Sequence, residues 1–156
     1  MADKTIGNVL EDDHHRIDAH LAAFAASVEA GRPDLDELAA GAEGLRHHIW
    51  VEEEEHFPPL REAGLVGPIM VMLREHGQLW DALDAIEAGA ADGDDVSERW
   101  RLLVEVLEAH NMKEERIVYP NGDEVLDPAT VERVRAALAS ERPRDWVCQM
   151  AGRFSG

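Results

Sequence analysis

Shifted by 62 positions, the chain lays its own unusual residues on one another. His14 falls on His76, His48 on His110, Glu52 on Glu114, Glu53 on Glu115, and Phe57-Pro58 on Tyr119-Pro120. The apolar framework obeys the same shift, with Leu10 on Met72, Ile17 on Leu79, Leu21 on Leu83, Phe24 on Ile86 and Leu45 on Leu107. Two copies of one unit, each too small to bury its apolar face alone, have to pack against each other.

Each copy reads as a pair of helices. Leu10, His14, Ile17, Leu21, Phe24 and Val28 recur at steps of three and four, the stripe of an amphipathic helix, and Gly31-Arg32-Pro33 stops it. A second stripe runs Leu35, Leu38, Ala42, Leu45, then His48 or Ile49, then Glu52. It is expected to end at Phe57-Pro58-Pro59, because the residue before a proline is pushed out of the helical region. Pro68 suits the first turn of a third helix, which carries Met72, His76, Leu79, Leu83 and Ile86. After a polar connection over residues 89–95, Val96, Trp100, Leu103, Leu107, His110, Glu114 and Ile117 form a fourth stripe, ending at Tyr119-Pro120-Asn121-Gly122. Asp127-Pro128 reads as the cap and first residue of a short fifth helix to about Leu138. Beyond Pro143, Trp146, Val147, Met150 and Phe154 make the tail apolar enough to dock. The expectation is one all-α domain over residues 1–156. It is an antiparallel up-down four-helix bundle (about 5–120) with a short C-terminal fifth helix and tail (about 127–156).

Charge narrows the partners. Acidic residues outnumber basic ones 33 to 15, a net charge of -18, which repels phosphates and argues against nucleic acid and anionic membrane surfaces. The longest nearly apolar stretch, residues 65–73, is far too short to span a bilayer, and residues 1–5 lead into acidic sequence with no apolar signal core. The single cysteine, Cys148, cannot form an internal disulfide and is expected to be a packed thiol. These features point to a soluble cytoplasmic protein.

The repeated polar residues carry the chemistry. His14, His48, His76 and His110 replace apolar residues on the buried stripes, and Glu52 and Glu114 share those faces. Burying carboxylates in a helical core is costly unless they are paired or hold a cation. A hydrogen-bonded His–Glu network accounts for one such pair, but not for its recurrence at identical spacing with one histidine from each remaining helix. A metal pair accounts for both, because the two residues of His-x-x-x-Glu sit one turn apart and aim at one point. His15, His20 and His47 fall on Gly77, Ala82 and Ala109, so the repeat marks them as surface imidazoles. With no cysteine in the set, mixed imidazole and carboxylate ligands suit iron, manganese or zinc, and two carboxylate-bridged ions most suggest a non-haem di-iron centre. A ferritin-like carboxylate site needs Glu-x-x-His on two helices with a lone Glu on each of the others. Glu11 to His14 and Glu53 to His56 match that string, but nothing similar precedes His76 or His110, so the placement fails. Trp50 and Trp80 are core positions that can also wall the metal pocket.

The combination of Asp13-His14-His15-Arg16-Ile17, His48-Ile49-Trp50-Val51-Glu52-Glu53 with Phe57-Pro58, Glu75-His76-Gly77-Gln78-Leu79, and His110-Asn111-Met112-Lys113-Glu114-Glu115 with Tyr119-Pro120 resembles the hemerythrin-like (HHE cation-binding) family over about residues 5–120. The resemblance implies an oxo- or hydroxo-bridged pair of iron ions, preferred over manganese or zinc. It also implies chemistry on dioxygen, nitric oxide or peroxide, with peroxide decomposition among the activities. By position it makes His14, His48, His76 and His110 terminal ligands and Glu52 and Glu114 bridges. Oxygen-carrying hemerythrins have a further histidine one turn after the third-helix histidine, where this chain has Trp80. They also have an aspartate five residues after the last histidine, whereas here a glutamate stands four after His110. The non-carrier branch therefore fits better. The missing imidazole has one candidate, His56, one turn beyond Glu52 on the same stripe. Glu53, Glu54, Glu55 and Glu115 are expected around the ligands or in solvent. The alternative function is a non-catalytic iron sensor or store.

Overall fold

A computed structural model describes residues 4–154; Met1 to Asp3 and the last two residues, which the single-domain expectation includes, lie outside the described residues. Every regular element among the described residues is helical. Helix α1 spans Ile6–Glu29, capped by Thr5, whose hydroxyl accepts from the Asn8 amide. Helix α2 (Leu35–Val51) is capped by Asp34 and runs through a π-helical turn, Glu52–His56, into α3 (Phe57–Glu62). Helix α4 is Val66–Ala91. Helix α5 (Ser97–Lys113) runs through a second π-helical turn, Glu114–Val118, into α6 (Tyr119–Val125). Helix α7 (Pro128–Leu138) starts as expected, with the Asp127 side chain accepting from the Thr130 amide and Pro128 as its first residue. Counting each run through a π turn as one body, the described residues hold five helices.

The two π turns correct the sequence reading. The chain does not leave the helix at Phe57-Pro58 or at Tyr119-Pro120. Inside an α-helix, a proline removes an amide hydrogen bond and clashes with the carbonyl four residues back. Here the ladder has already changed: the Phe57 amide donates to the Glu52 carbonyl and the Tyr119 amide to the Glu114 carbonyl, five residues back. Each proline then stands in the first turn of the helix that resumes, where its missing donor costs little. The inserted residue also rotates the helix downstream of it. Ile117, expected on the buried stripe, is 46% exposed, and Val118 is fully buried in its stead.

The elements pack α1 on α2, α4 on α5 and α2 on α4, with α6 against α1 and α7 against the π turn after α2, forming a helical bundle. Its core is split in two. One apolar cluster gathers Ile17, Leu21 and Phe24 of α1 with Leu45 and Ile49 of α2, Leu79 and Leu83 of α4, and Leu103 and Leu107 of α5. The other gathers Ile6 and Leu10 of α1, Val51 and Phe57, Ile69 and Met72 of α4, and Val118 and Tyr119. On α1, on α4 and on the run from α5 into α6 the histidine of the repeat stands between the residues of the two clusters, and on α2 His48 stands at the changeover, beside Ile49 and ahead of Val51. A buried polar layer therefore crosses the bundle between two apolar ones. No helix among the described residues is long and apolar enough to cross a membrane.

The tail docks only in part. Trp146 packs edge-on against Trp80, and Cys148 is buried. Val147 and Phe154, expected to contribute apolar contact, remain 59% and 38% exposed. Burial in this apolar setting, with Glu53 nearby, pushes the Cys148 thiol up to about 12, so it stays protonated and unreactive.

Candidate metal centre

The polar layer holds His14, His48, Glu52, His76, His110 and Glu114, each no more than 2% exposed. Ligand-capable atoms fall into two tight groups: Glu52, His76, His110 and Glu114 form one, and His14, His48 and Glu114 the other. Within each group these atoms lie within 4.8 Å of one another, and Glu114 belongs to both. In the first group, His76 Nε2 lies 3.2 Å from Glu52 Oε1 and His110 Nε2 lies 3.2 Å from Glu114 Oε1. In the second, His14 Nε2 is 3.1 Å from Glu114 Oε1, and His48 Nε2 reaches across to Glu52 Oε2 of the first group at 3.4 Å. Spacing alone thus located six residues that the fold brings to one place from four helical bodies.

What the spacing did not reveal is how the imidazoles are aimed. Each turns its Nδ1 outward onto a carboxylate contributed by a different helical body. His48 Nδ1 meets Asp13 Oδ2 at 2.8 Å, His14 Nδ1 meets Glu115 Oε2 at 2.9 Å, His76 Nδ1 meets Glu53 Oε2 at 2.7 Å, and His110 Nδ1 meets Glu75 Oε1 at 3.0 Å. An ionised carboxylate only accepts, so Nδ1 donates in all four, which leaves the Nε2 lone pairs facing inward. This is how a metal-binding histidine is oriented, and such carboxylates also raise its basicity as a ligand. The four pairs obey the repeat. Asp13 and Glu75 precede the first histidine of each half, and Glu53 and Glu115 follow its glutamate.

Inward lone pairs facing buried carboxylate oxygens repel unless a proton or a cation lies between them. Glu52 Oε1, Glu114 Oε2 and His76 Nε2 are buried with no hydrogen-bond partner. The approach of His76 Nε2 to Glu52 Oε1 is close but misaligned for a hydrogen bond, as for two atoms pointing at a common third position. Without a cation, protons fill the role. Burial opposes charge on His110, but the Glu114 carboxylate, with the hydrogen bonds from Glu114 and Glu75, overcomes it and lifts the imidazole to about 10. His48 and His76 are raised in the same way against burial, chiefly by the Glu52 charge and Asp13 for His48, and by Glu52 and Glu53 for His76. Burial would raise the Asp13 carboxyl, yet His48 and Arg16 hold it down at about 2. Two buried carboxylates with orphaned oxygens, among imidazoles pre-aimed by outer carboxylates, are the donor set of a divalent cation site.

Tyr119 occupies the middle of the second group. Its hydroxyl donates to Glu52 Oε2 at 2.8 Å and lies 3.2 Å from Glu114 Oε1, 3.1 Å from His14 Nε2 and 3.1 Å from His48 Nε2. Burial and the two glutamate charges raise its pKa well above the ordinary value, so the hydroxyl keeps its proton. In the sequence Tyr119 stands out only as the echo of Phe57. The expected pocket walls are also different. The guanidinium groups of Arg46 and Arg142 both lie over the Trp80 ring, Trp50 lies against His47, and the rings flanking the histidines are Phe57, stacked on His76, and Tyr119, stacked on His14.

His56 is fully buried, but none of its atoms belongs to either group. Both ring nitrogens lack a partner, the ring lies against Tyr119 and Phe57, and burial lowers its pKa, so it is neutral. It fits because residue 122 is glycine: a Cβ there would stand 3.1 Å from His56 Nε2. His15 is exposed, His20 pairs with Glu37, and His47 donates to backbone carbonyls of the C-terminal region, all away from the centre. Glu54 accepts from the Trp146 indole and Glu55 pairs with Arg133, while Glu53 and Glu115 orient imidazoles.

The outer carboxylates yield a direct expectation. Glu75→Gln should weaken metal affinity by roughly 10- to 100-fold in competition with a chelator, because the neutral amide takes away the charged acceptor that makes His110 a more basic ligand. Glu105→Gln, altering an exposed carboxylate that pairs with Arg101 on the surface of α5, should leave affinity unchanged.

Compared with known families, residues 5–121 match the Hemerythrin HHE cation binding domain. No curated protein and no solved structure matches the chain.

Proposed function

Because the chain belongs to the hemerythrin HHE cation-binding family, we propose that it is a non-haem di-iron protein that binds or reacts with a small ligand, dioxygen, nitric oxide or peroxide, and that it decomposes peroxide. The observation that carries this reading is the pair of donor groups sharing Glu114, with the inward Nε2 atoms and orphaned carboxylate oxygens around them. His76 and His110 would hold one iron and His14 and His48 the other, with Glu52 and Glu114 common to both. His56 belongs to the site as the neutral imidazole behind Tyr119. The surrounding scaffold reads as an antiparallel up-down four-helix bundle. This is supported by the order in which successive helices pass from one apolar cluster to the other.

When bound, the iron pair supplies electrons and Lewis acidity. The chain's own groups do the rest. The outer carboxylates fix the imidazoles, the two apolar clusters exclude water from either side of the layer, and the Tyr119 hydroxyl, which keeps its proton, stands as a hydrogen-bond donor at the second group. The strongly acidic surface supports a cytoplasmic protein whose partner is a small molecule rather than nucleic acid or a membrane.

The test is metal analysis with an optical spectrum of freshly purified protein, followed by oxygen release on adding hydrogen peroxide. Bound iron close to two per chain and release well above that of free iron are expected. Tyr119→Phe should keep its iron yet release oxygen more slowly, on the order of 100-fold for loss of a positioned hydrogen-bond donor. Release equal to free iron would reject the peroxide activity. The position of the layer between the two halves of the core favours a second reading, an iron sensor or store whose fold reports occupancy. That reading gains if chelation melts the fold while peroxide turnover stays at the free-iron level.

A further inference from the structure

The repeat relates two flanks of the molecule that the chain treats differently. On the flank between α2 and α4, the C-terminal segment lies as a strap. Its Gln149 amide donates to Glu53 Oε1 at 3.0 Å, its Trp146 indole donates to Glu54 at 2.8 Å, and Trp146 and Arg142 both cover Trp80. Met150 presses so closely on Gly77 that a Cβ there would stand 2.6 Å from it. The amides of Gly152 and Phe154 then anchor on Asp81, at 2.7 Å each.

Shifting by 62 carries this strap bed onto the flank between α1 and α5. Gly77 maps to His15, Trp80 to Asp18, Arg46 to Glu108, Glu53 to Glu115 and Glu54 to Arg116. These five positions line a groove of about 750 Å³ whose floor includes Leu21 and Leu107 and whose sides include Ala25 and Val104. The carboxylates show the difference: the Glu53 side chain is 1% exposed beneath the strap, while that of Glu115 is 27% exposed. Glu115 uses Oε2 on His14, and its other oxygen takes no donor among the described residues, whereas the matching Glu53 accepts a strap amide. Where the strapped flank carries Trp80 and Arg46, the open flank carries Asp18 and Glu108.

We propose that the α1/α5 groove is a docking site for an extended segment of a partner protein that carries an apolar anchor and basic side chains. The anchor would rest on Leu21 and Leu107, a backbone amide would donate to Glu115, and the basic groups would face Asp18 and Glu108. The inference goes beyond the metal chemistry and does not rest on it.

The chain's own strap sequence, residues 142–154, supplies the probe, since it has Trp146 and Met150 for anchors and Arg142, Arg144 and Arg153 against a single acidic residue, Asp145. A fluorescent synthetic peptide of that sequence is titrated into the full-length protein, whose own tethered strap holds the α2/α4 bed at high effective concentration. Binding in the micromolar range is expected, with amide shifts confined to α1 and α5. Ala25→Trp, which fills the groove, and Glu108→Lys, which reverses its charge, should each weaken it at least 10-fold, with helix content unchanged by circular dichroism. No binding up to millimolar peptide would overturn the proposal. So would binding that both variants leave intact, shifts on α2 and α4 that mark exchange with the strap, or protein that self-associates through this groove in sedimentation.

Discussion

His110→Ala should purify with most of its iron missing, while His15→Ala should match the wild type. The two histidines differ little in chemistry and greatly in place. His110 aims Nε2 at Glu114 and is held by Glu75, whereas His15 is exposed at the rim of the α1/α5 groove. Removing an outer carboxylate typically weakens a site by 10- to 100-fold, so deleting the imidazole itself should exceed about 100-fold. Because alanine at 110 also opens space in a buried layer, helix content and iron content should be read on the same sample. Equal iron in the two variants would refute the ligand assignment.

The second large effect should come from removing iron. Anything that binds the folded chain alone stabilises it by mass action, about 4 kcal/mol per site when free metal is 1,000-fold above its dissociation constant. At about 2–4 °C per kcal/mol for a chain of this size, chelation should lower Tm by roughly 10 °C or more. The size of the drop should depend on pH. The raised imidazoles stabilise the iron-free fold while they are protonated. Their contribution is complete below the unfolded value near 6.5 and drains away as pH rises, to about 10 for His110. Iron needs those nitrogens unprotonated. The gap in Tm between loaded and stripped protein should therefore widen from pH 6 to pH 9 in calorimetry, and uptake should release protons. A gap that narrows over this range would contradict the proton-for-metal exchange described for the cluster.

The legible part of the centre was the part that violates a pattern. His14, His48, His76, His110, Glu52 and Glu114 interrupt apolar stripes, and the repeat removes coincidence. The outer carboxylates left a fainter trace. An acid stands before the first histidine of each half, Asp13 and Glu75, but acids are common on helix surfaces, and each serves an imidazole on another helix, a pairing that no local spacing encodes. Tyr119 was missed because its counterpart Phe57 can only pack, so the echo suggested packing for both. The π turns have no residue signature of their own; a proline is ordinarily a stop signal, and here it marks where a helix resumes. That one added residue explains why Ile117 faces solvent and Val118 the core. The start of the fifth helix at Asp127-Pro128 and the packed Cys148 came from local chemistry that the fold did not override.

The same wide turns carry a warning for protein engineering. Grafting the six ligands together with Tyr119 and His56 onto uninterrupted helices of a designed scaffold would keep His48 one turn from Glu52 and His110 one turn from Glu114, but not the residues beyond them. Lacking the added residue, everything downstream would be out of phase by about 100°. Tyr119 and His56 would swing away from their neighbours, and a transplant faithful in every letter would be a misassembled copy.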